Sequence, residues 1–204
     1  MSRREPVLEP VEIKHLRPTQ MTVGLVEVEE KRREWRERKD GDAQAFLGRH
    51  MIPVIRGPHG RPFVIDHHHL VRALHAEGVE EIAVNVVADL NGLSKAEFWV
   101  FCDNRGWCHP YDDHGQRKGF DEIPKHISKL ADDPFRSLSG ALRRAGGYAK
   151  ESTPFAEFTW ADFLRRRIKR KLVEEDFATA LSRALGLAKA QKAAHLPGWC
   201  GPCA

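Results

Sequence analysis

Short runs of alternating or continuous apolar residues predict a small sheet in the first half of the chain. Over residues 11–18 apolar and polar side chains alternate, as in a half-buried strand that ends at a proline. Residues 52–56 and 62–65 are apolar runs separated by Gly57-Pro58-His59-Gly60, a composition that predicts a hairpin. Residues 82–88 form a further run of this kind. We therefore expect strands at these four places.

Two polar segments of the same half have the spacing of surface helices. The charged run Glu27–Lys39 alternates in sign, which predicts a long helix over residues 25–39 with a solvated face. Its few apolar positions fall near one side: Leu25, Val28 and Trp35. Residues 94–103 predict another helix, in which Ser94 caps the first turn and Glu97 completes a capping box.

The character of the sequence changes near Gly106. Residues 107–119 show no periodicity and predict a long loop. Everything beyond it has helical spacing, and the predicted helices are Phe120–Leu130, Pro134–Ala145, Pro154–Arg170 and Glu174–Ala194. The sequence thus predicts an α+β domain over residues 10–105, a helical region over 106–198 packed on it, and a flexible tail over 199–204.

Composition places the chain among ordinary globular proteins. It has 204 residues, of which 41% are hydrophobic, 8% aromatic and 30% charged. The net charge of +4 is too small to indicate a nucleic-acid partner. No run of eighteen apolar residues occurs, and the polar start lacks the apolar core of a secretory signal, so we predict a cytoplasmic protein without a membrane partner. Four cysteines are too few for a disulfide scaffold.

The end of the chain carries a redox-like string. Trp199-Cys200-Gly201-Pro202-Cys203 matches the thioredoxin active-site pattern, but only Ala204 follows it. That chemistry needs a following helix to lower the pKa of the first thiol. We therefore interpret the string as an incidental terminus, with weak metal binding as a second interpretation.

The strongest candidate site is the step from a strand into a helix at Asp66. Asp66 stands in the N-cap position, His67, His68 and His69 follow, and Arg72 comes one turn later. The free amides and the dipole of a helix amino terminus favour anions, and an arginine fork suits phosphate. The alternative is a simple cap with one histidine buried and two solvated. Neighbouring helical residues point about 100° apart, which argues against a zinc site in this run.

The chain resembles the ParB/sulfiredoxin superfamily. The resemblance rests on Leu16-Arg17-Pro18, on the segment Val64-Ile65-Asp66-His67-His68-His69-Leu70-Val71-Arg72-Ala73-Leu74, and on the later segments Asp133–Leu138, Gly146-Gly147-Tyr148 and Phe158–Arg165. The later segments resemble the branch of ParB-like nuclease proteins. The resemblance covers residues 11–198, and it implies a small mixed sheet with ParB/sulfiredoxin-like topology followed by an all-helical region.

Relatives in this superfamily imply several activities. They include CTP binding in partition proteins, ATP-driven reduction of sulfinic acids in sulfiredoxins, and phosphorylation of free serine by ADP- or ATP-dependent kinases. In these relatives a short motif at a helix amino terminus holds the nucleotide phosphates, and residues 66–70 resemble it. They are closest to the kinase form Asp-Gly-His-His-Arg, with His67 in place of the glycine and Leu70 in place of the arginine. In sulfiredoxins the reactive cysteine belongs to the phosphate-binding motif. Sulfiredoxin chemistry is therefore disfavoured here, because residues 1–101 contain no cysteine.

The resemblance also implies roles for single residues. Phosphates would be held by His67, His68, His69 and Arg72, with Asp66, His68 and His69 as catalytic candidates and ATP, ADP or CTP with Mg²⁺ as the cofactor. The kinases carry a catalytic glutamate where this chain has Gln20, which cannot accept a proton. Replacement bases on the following helix are Glu27, Glu29 and Glu30, each of which is otherwise a surface charge.

A second set of polar residues is predicted to line a pocket at this site. The set is Arg17, Thr19, Gln20, His109, Asp112, Asp113 and His114. The imidazoles and carboxylates of the last four would close the site if the helical region folds back over it, and they could hold a divalent ion. The alternative interpretation is a polar connecting loop.

A basic run in the helical half is the candidate nucleic-acid surface. Residues 165–171 contain six cations in seven positions, and residues 161–192 hold nine basic against four acidic residues. This asymmetry favours a polyanion, although a solvated helix end is an equal alternative. The leading prediction is a nucleotide-binding protein with Mg²⁺-dependent phosphoryl transfer or phosphate hydrolysis. The competing predictions are a non-enzymatic nucleic-acid-binding module and a nuclease.

Overall fold

The computed structural model describes residues 8–38, 47–48 and 50–202. The strands are β1 (Leu8–Glu12), β2 (Arg17–Pro18), β3 (Thr22–Val23), β4 (Ile52–Arg56), β5 (Pro62–Val64), β6 (Glu81–Asp89) and β7 (Ala131–Asp132). The α-helices are α1 (Leu25–Arg36), α2 (His68–Ala76), α3 (Lys95–Asn104), α4 (Pro134–Arg144), α5 (Ala156–Arg165), α6 (Arg170–Glu175) and α7 (Phe177–Lys189).

Five of the strands form one mixed sheet in the order β1-β6-β4-β5-β2. The pair β4 and β5 is antiparallel, which confirms the predicted hairpin. Strand β6 runs parallel to β4 and antiparallel to β1, and β2 runs parallel to β5. Strands β3 and β7 form a separate parallel pair. This mixed sheet followed by helices confirms the expected α+β fold.

Alternation along the strands gives the sheet two apolar faces. On one face Ile52, Val54 and Val84 pack with α1 and α2. On the other face Ile55 and Phe63 pack with α3. A third apolar cluster lies within the helical half of the chain, where Trp160 and Leu164 are its most deeply buried members on α5.

One local signal predicted from the sequence is confirmed at the start of α3. The Oγ atom of Ser94 accepts from the Glu97 amide at 3.3 Å, and Oε2 of Glu97 accepts from the Ser94 amide at 2.9 Å, which is the predicted capping box. Gly78 follows the end of α2 with a φ of 75°, the left-handed conformation that glycine adopts at low cost.

The prediction of one strand over residues 11–18 is wrong. Strand β1 ends at Glu12, a 3₁₀ turn covers Ile13–His15, and β2 begins at Arg17. The reason is tertiary, because β1 and β2 lie at opposite edges of the sheet and the chain must turn to cross between them.

Three predicted helices have the wrong extent. Residues 120–130 form two 3₁₀ turns, Phe120–Glu122 and Ile127–Lys129, because Pro124 disfavours a helix between them. The helix predicted over 154–170 is α5, which follows the left-handed Phe155 and ends at Arg165. The helix predicted over 174–194 is broken at Asp176, whose side chain caps α7 by accepting from the Thr179 amide at 3.0 Å.

The burial of α1 also differs from its prediction. Val28 and Trp35 are buried as expected, but Leu25 is 41% exposed. Glu27, predicted to lie on a solvated face, is only 7% exposed because α4 covers it. The predicted helix reaches residue 39, but α1 ends at Arg36 and residues 37–38 form a turn; residue 39 lies outside the described residues.

The carboxyl-terminal segment packs against the helical half. The Nε1 atom of Trp199 donates to the carbonyl of Ala188 at 2.9 Å, and Cys200 is exposed. Cys203 lies outside the described residues. Among the helices of the described chain, none combines the length and the apolar character that crossing a membrane requires.

Candidate functional site

The step from β5 into α2 has an unusual backbone conformation. His67 occupies the N-cap position with φ 65° and ψ 24°, a left-handed conformation, and no side chain caps the helix. The predicted cap by Asp66 is therefore wrong: its Oδ1 atom instead accepts from the His67 amide, its direct neighbour, at 2.7 Å. This conformation costs a residue with a Cβ about 1–2 kcal/mol. His67 holds it at the position where the related motif has glycine.

The first turn of α2 presents free amides. The Val71 amide donates to the carbonyl of His67 at 3.0 Å, which is the first hydrogen bond of the helix. The amides of His68, His69 and Leu70 come before it and have no acceptor among the described residues. We call residues 66–70 the phosphate cradle, because three such N–H groups with the helix dipole favour an anion.

His68 is buried and links two strand ends. Its Nε2 atom accepts from the Thr19 amide at 3.3 Å, and the Oγ1 atom of Thr19 donates to the carbonyl of Val64 at 2.8 Å. Burial, and next the neighbouring His69, lower the pKa of His68 to about 3. The ring is therefore neutral at physiological pH, and its contacts fix the segment after β2 beside the phosphate cradle.

His69 lies between a backbone amide and a carboxylate. Its Nε2 atom is 3.0 Å from the Gly24 amide nitrogen and 3.2 Å from Oε2 of Glu27. Burial, and next the charge of Arg136, lower the pKa of His69 well below its ordinary value, so the ring carries one proton. A single nitrogen cannot accept from Gly24 and donate to Glu27 at once. The ring proton thus has two alternative positions.

Glu27 is the centre of a buried ionic cluster. Its Oε2 atom accepts from Nη1 of Arg136 at 3.0 Å, and its Oε1 atom accepts from Nη1 of Arg144 at 2.8 Å. Arg136 and Arg143 also contact Glu157. The cluster joins α1, α4 and α5 directly beside His69.

Sequence reasoning considered Glu27 but missed the arginines around it. Arg136, Gly140 and Arg144 recur at four-residue spacing, so they share one face of α4. A Cβ on Gly140 would lie 1.8 Å from Oε1 of Glu27. This spacing of two cations and a glycine was the signal available in the sequence.

Other cations surround the phosphate cradle. Burial lowers the pKa of His67, the neighbouring Asp66 opposes this shift, and smaller contributions from His50, Lys31 and Lys150 lower the pKa. Lys150 is exposed and has no ion pair among the described residues. Arg72 is half-buried, and its Nε atom has no hydrogen-bond partner in the described part of the chain.

The structure brings three of the predicted pocket residues together. The His109 amide donates to the carbonyl of Thr19 at 2.9 Å, and His109 pairs with Gln20 as a parallel bridge. The centroids of the His109 and Phe158 rings lie 3.9 Å apart. Burial lowers the pKa of His109 to about 3. The Nε2 atom of the buried Gln20 donates to the carbonyl of Thr22 at 2.7 Å.

The remaining pocket residues lie elsewhere. Oδ1 of Asp112 accepts from two amides of its own loop at 2.9 Å, Asp113 pairs with Arg170 at 2.8 Å, and His114 is exposed. The contacts of Asp112 stabilise the loop, and the contact of Asp113 joins the loop to α6. Arg17 lines two cavities near the start of β5. Within the described ranges no group of three or more His, Cys, Asp or Glu side chains could hold a metal ion.

The basic run 165–171 is partly neutralised. Arg165 pairs with Asp133 and Asp162, and Arg170 pairs with Asp113 and Glu174. Arg166 and Arg167 donate to carbonyls of α5, and the exposed Lys169 has no ion pair or side-chain hydrogen bond among the described residues. The run surrounds a cavity of about 350 Å³.

Comparison with known proteins agrees with this fold. The sequence profile of the family described as "Putative ParB-like nuclease" matches residues 9–166, and the chain belongs to this family. The chain is also similar to a solved structure, protein Atu1540 from Agrobacterium tumefaciens, with 55% sequence identity and a TM-score of 0.91. That match covers 97% of this chain and 98% of the other. No curated protein matches the chain.

Proposed function

We propose that this ParB-like protein binds a nucleotide and transfers or hydrolyses one of its phosphoryl groups. The observation that carries the proposal is the set of three free amides at His68, His69 and Leu70, which follow a left-handed residue at the start of a helix. Such amides hold phosphate oxygens in many nucleotide-binding proteins. We place the phosphates of ATP, ADP or CTP on the phosphate cradle.

The charges around the phosphate cradle support an anionic ligand. Lys31, which also pairs with Glu34, and Lys150 contribute positive charge near His67 from two different segments, and the guanidinium of Arg144 is exposed beside Glu27. Positive groups beside the phosphates stabilise the charge that develops on a transferred phosphoryl group. Mg²⁺, held mainly by the phosphates with exposed Asp66 as a protein ligand, would neutralise part of that charge.

We assign the proton transfer of the reaction to the pair His69 and Glu27. His69 is neutral, and its Nε2 atom lies between an amide donor and the Glu27 carboxylate. Glu27 is the only one of the three replacement bases considered that is buried against the cradle residues. His68, which links Thr19 to the phosphate cradle, is a positioning residue in this proposal.

Nucleic-acid binding is the second candidate function. It is favoured by exposed cations at Arg166, Arg167 and Lys169 around one cavity. A metal-dependent nuclease has less support, because the described residues offer no cluster of metal-binding side chains.

The proposed function is tested by calorimetric titration with ATP, ADP and CTP in the presence of Mg²⁺, followed by a phosphate-release assay. We expect Lys150→Gln to weaken nucleotide binding severalfold and Glu27→Gln to reduce release by about 10²-fold or more while binding is retained. Arg33→Gln removes an exposed charge of the same sign on α1 and should change neither quantity. Absence of nucleotide binding by the wild-type protein would refute the proposal. DNA binding lost in Lys169→Gln would instead favour the second candidate.

A further inference from the structure

Two cavities meet near the start of β5, away from the phosphate cradle. The larger has a volume of about 570 Å³, and the smaller has a volume of about 120 Å³. Among the described residues three line both of them, and all three are cations: Arg17, Arg61 and Lys125. We propose that this cationic triad binds a phosphomonoester at a site separate from the phosphate cradle.

The members of the cationic triad have no acidic partner. In the larger cavity the carboxylates of Glu9 and Asp89 both pair with Arg56. No ion pair or side-chain hydrogen bond joins Arg17, Arg61 or Lys125 to another described residue. The smaller cavity also contains the carboxylate of Asp121, which forms no ion pair with these cations among the described residues, and the ammonium group of Lys95. The charge of this region therefore stays positive and is left for a ligand.

The geometry brings the triad together from three segments. Arg17 on β2 is the register partner of Phe63 on β5, and Arg61 lies two residues before Phe63. Paired residues and residues two apart lie on the same face of a sheet, so Arg17 and Arg61 lie on one face. Both side chains line the same two cavities, and burial, and next the charge of Arg61, lower the pKa of Arg17. Lys125 joins them from the segment after the 3₁₀ turn Phe120–Glu122.

The surroundings define the chemical class of the ligand. Guanidinium forks bind phosphate oxygens in a bidentate geometry, which two neighbouring forks reinforce. The smaller cavity has apolar walls that include Phe63, Trp99 and Phe120. The larger cavity falls in the range of small-molecule sites, about 300–1,000 Å³. These features fit a phosphate group on the cations with an apolar or ring group beside it.

Two sources carry this chemistry, a free mononucleotide and the 5′-phosphorylated end of a nucleic-acid strand. The site is independent of the proposed function, because Arg17 is the first residue of β2 and Arg61 directly precedes β5, whereas the phosphate cradle follows the end of β5.

The test is calorimetric titration of the full chain with phenyl phosphate, AMP and a short oligonucleotide with or without a 5′-phosphate. We expect Arg17→Gln/Arg61→Gln to weaken binding of the phosphorylated probes by about tenfold or more, because charge-assisted hydrogen bonds are lost. Arg33→Gln, which removes an exposed cation of α1 that belongs to neither site, should leave this binding unchanged. Binding of AMP identifies a free nucleotide as the source, and binding of only the phosphorylated oligonucleotide identifies a strand end.

Circular dichroism and thermal unfolding check that each variant is folded. If the Arg17 variant does not fold, Arg61→Gln/Lys125→Gln replaces it, since both of these residues are exposed. The proposal is overturned if wild-type protein binds none of the phosphorylated probes, or if the folded double variant binds them as well as wild type does. It is also overturned if Lys150→Gln alone removes the binding.

Discussion

The Nε2 atom of His69 lies 3.2 Å from the Oε2 atom of Glu27. This contact connects the first turn of α2 to α1, and the next contact of the same carboxylate oxygen, to Arg136, reaches α4. The candidate site therefore lies where the sheet half of the chain meets the helical half. Glu27 and Arg136 are buried, so a change in either of them alters both stability and any chemistry at the phosphate cradle.

Gly140→Ala is expected to destabilise the protein. The new Cβ would lie 1.8 Å from Oε1 of Glu27, so the ionic cluster must move, at a cost of about 1–3 kcal/mol or more. The matched control is Gly186→Ala on α7, where no heavy atom beyond the neighbouring residues and the local helix backbone lies within 4 Å of the added Cβ. There alanine should stabilise by up to about 1 kcal/mol through helix propensity. Urea unfolding of the two variants gives both values, and equal effects would contradict the close approach.

Arg136→Met is expected to cost more stability than Arg144→Met. Arg136 is buried between Glu27 and Glu157, and its removal leaves carboxylates in the interior without this partner. Breaking a buried pair in this way costs about 3–5 kcal/mol. Arg144 is more exposed, so water replaces its contact with Glu27 more easily. The comparison is made by chemical denaturation, and a larger loss from Arg144→Met would argue against the ionic cluster described here.

His67→Gly should raise stability while weakening nucleotide binding. Glycine adopts the left-handed conformation of His67 without the penalty of a Cβ, a gain of about 1 kcal/mol. His67 belongs to the phosphate cradle, and we expect the loss of its imidazole to lower the affinity for nucleotide. His67→Ala is the control, because it removes the ring and retains the strained conformation. Thermal unfolding and calorimetry separate the two effects, and unchanged affinity in both variants would exclude a role for the ring.

Acid is expected to unfold the protein through its buried histidines. Burial lowers the pKa of His68 and of His109 from 6.5 to about 3, and it lowers the pKa of His69 as well. Below pH 6.5 the unfolded chain binds protons that the folded chain does not. The stability contributed by these neutral rings is complete above pH 6.5 and is lost as the pH falls towards 3.

The measurement is the free energy of unfolding between pH 7 and pH 4.5. Each such histidine adds about 1.4 kcal/mol per pH unit to the slope once the pH is well below 6.5. His109→Gln should reduce this slope by about that amount, whatever its effect on the stability at pH 7. An unchanged slope would show that His109 becomes protonated in the folded state.

The sequence by itself determined the features that depend on neighbouring residues. The hairpin of β4 and β5, the capping box at Ser94 and the step from β5 into α2 each arise from a few consecutive side chains. Family motifs in the sequence indicated the ParB-like class, which the profile match confirmed. Local propensity and hydrogen bonding within one turn are sufficient to specify such features.

Only the tertiary structure decided which charged groups form sites. Glu27 and Arg136 are 109 positions apart, and no pattern around Glu27 distinguishes it from the other acids of α1. Arg17, Arg61 and Lys125 likewise converge from separate segments. Whether a charged side chain is buried and paired or exposed depends on which elements cover it, and this is set by the packing of elements that are distant in sequence. Burial and ion pairing are therefore properties of the folded chain that its local sequence does not contain.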